Sequence, residues 1–321
     1  MFISVPFGRE PDWRTGAESV AYEPAAAARF VDALSREIAR RAPECAGIAF
    51  DTVYFGGCGP SCLTLDQLYR VLQVLYDTVP IQPREQTMLV LPGTADEPRA
   101  KVLRESGFDR VELRLRGRDT GEADFHVLRQ AGFETVGVEM AYLGERESWD
   151  TALSSLLRLE PDHLAFWLPD PLTPGMSKVL RRTSERLSPP YHCYGLHHYC
   201  RPGHECAYLV EAWERRPLLG LGPGALSRLP AGTSENDRRF SEYATAVKKG
   251  RSPALRTESG AERLRADFTR LAGVLETGLP AETVRQLLGR GLVERRDARL
   301  FLTDYGALAL DDVCQALAQS D

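Results

Sequence analysis

No stretch of this 321-residue sequence approaches the roughly 18 consecutive apolar residues of a membrane-spanning helix. That argues against a protein seated in a bilayer. Positive charge is not in excess either: 40 Lys and Arg stand against 45 Asp and Glu, a formal net charge of −5. The balance argues against a dedicated nucleic-acid binder and against attraction to anionic membrane surfaces. The seven cysteines are odd in number and irregularly spaced, so no disulfide framework is implied and reduced thiols in a cytoplasmic protein are expected. The sequence has no phosphate-binding glycine loop, no Ser-centred nucleophile elbow and no zinc-peptidase motif. Internal repeats and low-complexity tracts are missing too. Met1–Phe7 is apolar but lacks a basic lead, a long apolar stretch and a small-residue cleavage site, so a first strand is expected there rather than a leader.

What is present is ordinary globular material, 43% apolar and 26% charged, at a length suited to about two domains. The first half alternates strand and helix patterns. Strands are expected at Met1–Phe7, Asp51–Phe55, Thr87–Leu91, Arg110–Arg116, Thr135–Ala141 and His163–Leu168. Helices are expected at Ala25–Arg41, Thr64–Val79 and Pro98–Ser106. Such alternation means a parallel sheet, and six units suggest a barrel or partial barrel. From Pro189 to Gly224 the chain reads as loop. Helices are then expected at Asn236–Lys249, Ala261–Glu276, Ala281–Arg290 and Asp304–Ala318, with a hairpin at Leu292–Leu302. A cluster of Pro, Gly and Ser near Leu229–Glu235 places the domain boundary there. It gives residues 1–232, with a loop-rich extension at 189–232, and a winged-helix-like helical domain at 233–321.

Several phrases occur together: FISVPF at Phe2–Phe7, DTVYFGGCGPS at Asp51–Ser61, PGT at Pro92–Thr94, PDH at Pro161–His163, RPGHEC at Arg201–Cys206 and LGLGPGALS at Leu219–Ser227. In this order they resemble the oxygen-independent coproporphyrinogen III oxidases and related bacterial haem chaperones of the radical S-adenosylmethionine (SAM) superfamily. The resemblance implies an α/β fold, a partial barrel of radical SAM type, with a C-terminal helical domain.

It also implies a Cys-x3-Cys-x2-Cys loop after the first strand, holding a [4Fe–4S] cluster through three thiolates. The corresponding positions are Gly8, Asp12 and Thr15, and none is a thiolate. No iron–sulfur cluster is therefore expected. An acidic residue of the family corresponds to Leu89, and a glutamine to Arg116. The stretch Gly117–Ala131 is short, and a longer loop has shrunk to Leu143–Glu145. Gly56 and Gly57, which in the family approach the methionine amine of SAM, are kept as candidate cofactor-binding residues. They also suit a tight strand-to-helix turn. The haem-binding motif of the chaperone branch falls on Tyr208, Leu209, Ala212 and Trp213, and only the Trp matches.

Strand alternation sets the candidate site. Glu112, Arg114 and Arg116 face one way on Arg110–Arg116, opposite Val111, Leu113 and Leu115. Glu139 faces the same layer on the next strand, and His163, Ala165 and Trp167 on the one after. Arg114, Arg116, Trp167 and Tyr54 are the expected ligand-binding residues, with Glu139 and His163 as catalytic groups; His126 and Asp170 are further candidates. The alternative is a structural salt bridge in place of cofactor contacts, since buried charges must pair. Cys58, at the mouth, is a candidate thiol. The segment Tyr191–Cys206 gathers four His and three Cys, which suits zinc, but in no recognised ligand order, so no metal site is assigned.

The leading functional expectation is a cluster-less, non-radical enzyme or binding protein for a small anionic metabolite, with SAM as a conceivable two-electron reagent. A pseudoenzyme that binds an active relative is the alternative, and a haem-binding protein a weaker one. Neither nucleic acid nor membrane is an expected partner.

Overall fold

A computed structural model describes residues 1–12, 14–116, 121–141, 146–167, 176–252 and 254–319. The chain opens with β1 (Phe2–Val5), α1 (Pro24–Arg41), β2 (Phe50–Gly57), α2 (Leu65–Thr78), β3 (Ile81–Val90), α3 (Glu97–Glu105), β4 (Arg110–Leu115), α4 (Glu122–Gln130) and β5 (Thr135–Ala141). It continues through α5 (Arg146–Arg158), β6 (His163–Trp167), α6 (Met176–Leu187), β7 (His192–Gly195), β8 (His198–Cys200), α7 (Ala207–Trp213) and β9 (Gly220–Leu221). Then come β10 (Leu226–Leu229), β11 (Gly232–Glu235), α8 (Phe240–Lys248) and β12 (Ala254–Arg256). The remainder is α9 (Gly260–Thr269), β13 (Val274–Leu275), α10 (Ala281–Gly289), β14 (Val293–Arg296), β15 (Arg299–Leu302), α11 (Asp304–Leu308) and α12 (Leu310–Ala318). Among the described residues no helix is long and apolar enough to cross a membrane.

By contact the chain divides into two units, Met1–Glu139 with Arg216–Thr257, and Met140–Arg215 with Glu258–Asp321. In the first unit strands run in the order β5-β4-β3-β2-β1-β9, with β1 to β4 and β9 paired in parallel. The helices follow their apolar periodicity. On α1, Phe30, Leu34 and Ile38 are fully buried, and Pro24 sits in the first turn. On α2, Thr64 and Gln67 form a reciprocal capping box, and Leu68, Val71, Leu72 and Leu75 face inward. Phe7, Phe30 and Phe240 meet edge to face. Buried Glu37 of α1 accepts from the Gly222 amide (2.9 Å), Asn236 Nδ2 (2.7 Å) and the Tyr243 hydroxyl (2.7 Å), tying α1 to the returning segment.

That segment departs from the expected boundary. Leu229–Glu235 is no linker: β10 and β11 form an antiparallel hairpin closed at Gly232 and joined by β12. The Pro-Ala-Gly cluster is its turn. The expected helix at Asn236 starts at Phe240 instead, because Asn236 is drawn into the Glu37 network.

In the second unit β6, β8 and β7 are antiparallel neighbours, so the stretch expected to be loop carries a hairpin. Phe268, Val274, Val284, Leu287, Val293, Leu300, Val313, Cys314 and Leu317 form one buried core under the hairpin β14–β15 and helices α9, α10 and α12. The helix expected over Ala261–Glu276 ends at Thr269, where Leu271 and Gly273 take positive φ and β13 follows. The last expected helix is broken at Ala309.

Candidate functional site

β4 is where sequence and burial conflict. All six of its residues are buried, although three carry charge. On the face shared by alternate residues, Arg110 reaches Glu112 (2.9 Å) and Glu85 (3.6 Å). Further along, Arg114 meets Glu139 of β5. Its Nε and Nη2 each donate to Glu139 Oε2 at 3.1 Å. Both Nη atoms donate to Asp12 Oδ1 at 3.3 Å, and Nη1 also donates to the Gly57 carbonyl at 2.9 Å. These bonds engage all five N–H groups of the guanidinium.

The opposing charges come from the loop after β1. Asp12 is buried, and its Oδ2 accepts from the Thr15 amide (2.9 Å) and hydroxyl (2.8 Å). This local pairing with a residue three positions on fixes the carboxylate and leaves Oδ1 for Arg114. Two residues on, Arg14 donates through Nη2 to Glu139 Oε1 and through Nη1 to the Tyr54 hydroxyl (3.1 Å), with its guanidinium 5.1 Å from the Tyr54 ring centre. The Tyr54 hydroxyl donates to Glu139 Oε1 at 3.0 Å. Burial alone would push the Glu139 carboxyl upward. The charges of Arg14 and Arg114 and the hydrogen bonds from Arg14 and Tyr54 reverse this and hold it at about 2. A carboxylate held there is a poor proton acceptor near neutral pH.

The two glycines are explained by packing. A Cβ on Gly56 would lie 2.7 Å from the Phe2 ring. One on Gly57, at φ +91°, would lie 2.5 Å from the Val5 amide nitrogen. Gly57's carbonyl, which could receive an ammonium group, accepts from Arg114. Cys58 is buried beside Asp12, and desolvation together with that negative charge pushes its thiol up to about 12. That removes it as a ready nucleophile.

The structure therefore brings together Arg114, Glu139, Tyr54 and the Gly57 carbonyl. It sets Arg116 apart: this residue follows the end of β4, is about half exposed and pairs with Glu10. His163 and Trp167 lie on β6 in the second unit. His163 Nε2 is 2.8 Å from the Tyr194 hydroxyl, and Trp167 meets His198 edge to face. Trp213 stands 5.0 Å from the His198 ring. His126 is exposed on α4 beside Glu122. Leu168, Asp170, residues 117–120 and Leu143–Glu145 lie outside the described residues. Sequence reasoning missed Arg14, because nothing periodic in the loop reveals which way it turns. The usable signal was a buried acid on one strand with too few cations nearby.

The donor set can be tested against a [4Fe–4S] cluster. Gly8, Asp12 and Thr15 offer no thiolate. A Cβ at Gly8 would stand 3.0 Å from both the Cβ and the carbonyl oxygen of Cys58. Asp12 and Thr15 bond each other. The residues present do not fit the cluster.

No family model matches the chain. It is similar to the haem chaperone HemW of Synechocystis, at 25% identity over 272 residues, which cover 70% of this chain and 65% of the chaperone, less than two thirds of its length. HemW of Mycobacterium tuberculosis H37Rv is 24% identical over 337 residues, 90% of this chain and 86% of the relative. An oxygen-independent coproporphyrinogen III oxidase of Cereibacter sphaeroides is 21% identical over 309 residues, 80% of this chain and 68% of the oxidase. Among solved structures, the coproporphyrinogen III oxidase HemN of Escherichia coli, described as a radical SAM enzyme, superposes with a TM-score of 0.79 at 19% identity. The match covers 99% of this chain and 89% of that one, and the expected α/β fold of radical SAM type is the fold they share.

Proposed function

We propose that the chain belongs with the haem chaperones and oxygen-independent coproporphyrinogen III oxidases to which it is similar, and that within that family it is a cluster-less pseudoenzyme, acting by binding an active relative rather than by radical chemistry. The observation that carries this reading is the saturation of Arg114. Its five N–H groups are taken by Glu139, Asp12 and the Gly57 carbonyl. Asp12 stands at a position where the family motif has a cluster cysteine. Two acids and two bases balance among the described residues of this network, so no surplus charge invites a small anion or the amino-acid part of SAM.

The experiment combines anaerobic reconstitution with iron and sulfide, calorimetric titration with SAM, and size-exclusion chromatography after co-expression with a cysteine-bearing family member. The expected result is no stable charge-transfer absorption, no SAM binding and a co-migrating complex. Stoichiometric cluster iron overturns the reading. So does an anionic metabolite that co-purifies with the isolated chain and whose binding falls in Arg114→Lys; that outcome restores the small-molecule reading.

A further inference from the structure

The hairpin β7–β8 holds three ligand-type side chains that the ion-pair network does not use. His192 and Cys200 are register partners on the two strands, so their side chains leave the same face. Cys200 Sγ lies 3.6 Å from His192 Nε2. The chain then turns back at Arg201–His204: the His204 amide donates to the Arg201 carbonyl (3.0 Å), with Pro202 second in the turn and Gly203 third at φ +84°. This is the residue order a type II turn requires. The turn returns Glu205 to the hairpin, with Oε1 2.8 Å from the same His192 Nε2. The three ligand atoms lie within 4.8 Å of one another.

Two chemistries use Cys, His and an acid, and the geometry separates them. A nucleophilic triad needs the acid on the imidazole nitrogen opposite the thiol, so that it orients the ring. Here Cys200 and Glu205 converge on one nitrogen, Nε2. That nitrogen carries either one proton or one lone pair and cannot serve both as a hydrogen-bond partner in the same way. A cation at the shared point would engage all three ligand atoms, the Nε2–Oε1 spacing opening from 2.8 Å to the roughly 3.3 Å edge of a tetrahedral site. Zinc bond lengths of about 2.3 Å to sulfur and about 2.0 Å to nitrogen give a tetrahedral S···N edge of about 3.5 Å, close to the 3.6 Å observed. One thiolate, one imidazole and one carboxylate are a borderline-soft set, which excludes calcium and magnesium. Cys200 is buried, while His192 and Glu205 are partly exposed, so water can reach a fourth position.

We propose that His192, Cys200 and Glu205 form a mononuclear zinc site with one solvent-accessible position, which clips the β7–β8 hairpin to the turn preceding α7. No zinc motif of standard spacing announces it, because the ligands are assembled by a hairpin register and a turn.

The test uses the full chain stripped with a chelator and titrated with Zn²⁺ by calorimetry, and with Co²⁺ by absorption. The expected result is one equivalent bound, a thiolate-to-cobalt charge-transfer band, and a melting temperature raised by zinc. His192→Ala and Cys200→Ser should each weaken binding at least tenfold, Glu205→Gln should weaken it measurably, and Cys200→Ser should abolish the band. Exposed His126→Ala should change nothing. Circular dichroism checks folding; should buried Cys200→Ser not fold, the two partly exposed ligands carry the test. Absence of stoichiometric binding overturns the proposal, as does binding that His192→Ala and Glu205→Gln leave unchanged.

Discussion

Glu139→Gln is the most informative single change. It keeps the size and hydrogen-bonding outline of the side chain but removes the charge that both Arg14 and Arg114 face. Two guanidiniums would then share Asp12 alone among the described acids of the network. Removing one partner of a buried ion pair costs about 3–5 kcal/mol, because the remaining charge is left uncompensated away from water. For a chain of 321 residues each kcal/mol moves the melting temperature by roughly 1.5 °C, so a fall of roughly 4–8 °C is expected. The pH dependence supplies an independent arm. Glu139 is held at about 2 in the folded protein against its ordinary 4.5. A depressed carboxyl stabilises the fold fully above about 4.5, and that contribution is lost as pH falls toward about 2. At 1.36 kcal/mol per pKa unit it is on the order of 3 kcal/mol. Urea unfolding of wild type and variant from pH 7 down to the lowest pH at which wild type stays folded should therefore show a gap that narrows with acid. A variant within about 1 kcal/mol of wild type at pH 7, or two curves that stay parallel through acid, would refute the claim that this network holds the site closed.

Arg116→Lys should shift stability by less than about 0.5 kcal/mol, since the residue is half exposed and pairs with an exposed glutamate; thermal unfolding checks it, and a larger loss would mean that Arg116 belongs to the buried network. Cys58, pushed up to about 12 by burial and by Asp12, should resist iodoacetamide at pH 8 in the native protein and react in denaturant, as peptide mass spectrometry would read. Tyr243→Phe removes the 2.7 Å donor to buried Glu37 and should cost about 1–2 kcal/mol in urea unfolding; no change would place Glu37's stabilisation in Gly222 and Asn236 alone.

The strand and helix order of the first 167 residues was legible because burial imposes its period on side chains: β5 lies where its pattern put it, and α1 and α2 end within a residue or two of expectation. Alternation along β4 and β5 also placed Arg114 and Glu139 on a common face. What alternation cannot carry is the path of a loop. Arg14 belongs to no periodic element, yet it supplies half the positive charge on Glu139. The same limit applied at Tyr191–Cys206. Its histidines and cysteines were visible as a cluster, but which of them converge depends on pairing His192 with Cys200 across the hairpin. The boundary at Leu229–Glu235 went astray for a related reason: Pro and Gly mark a change of direction, and a hairpin turn and a linker both need one.

The loop after β1 has a chemical logic of its own. Arg114 and Glu139 alone leave donors on one side and acceptors on the other unmet in a buried layer, and each such group costs free energy. The loop here supplies one acid to the base and one base to the acid, two residues apart, and holds the acid in place with Thr15. The additions cancel in charge. Asp12→Asn should accordingly be rescued in part by removing the opposite member as well: Asp12→Asn with Arg14→Gln should be more stable than the sum of the single changes predicts, although Asp12 and Arg14 bond different partners. Additivity in that cycle, read by urea unfolding, would mean that the two pairings are separate accidents of packing. Coupling would mean that the loop and the sheet form one balanced unit, closed by its own charges.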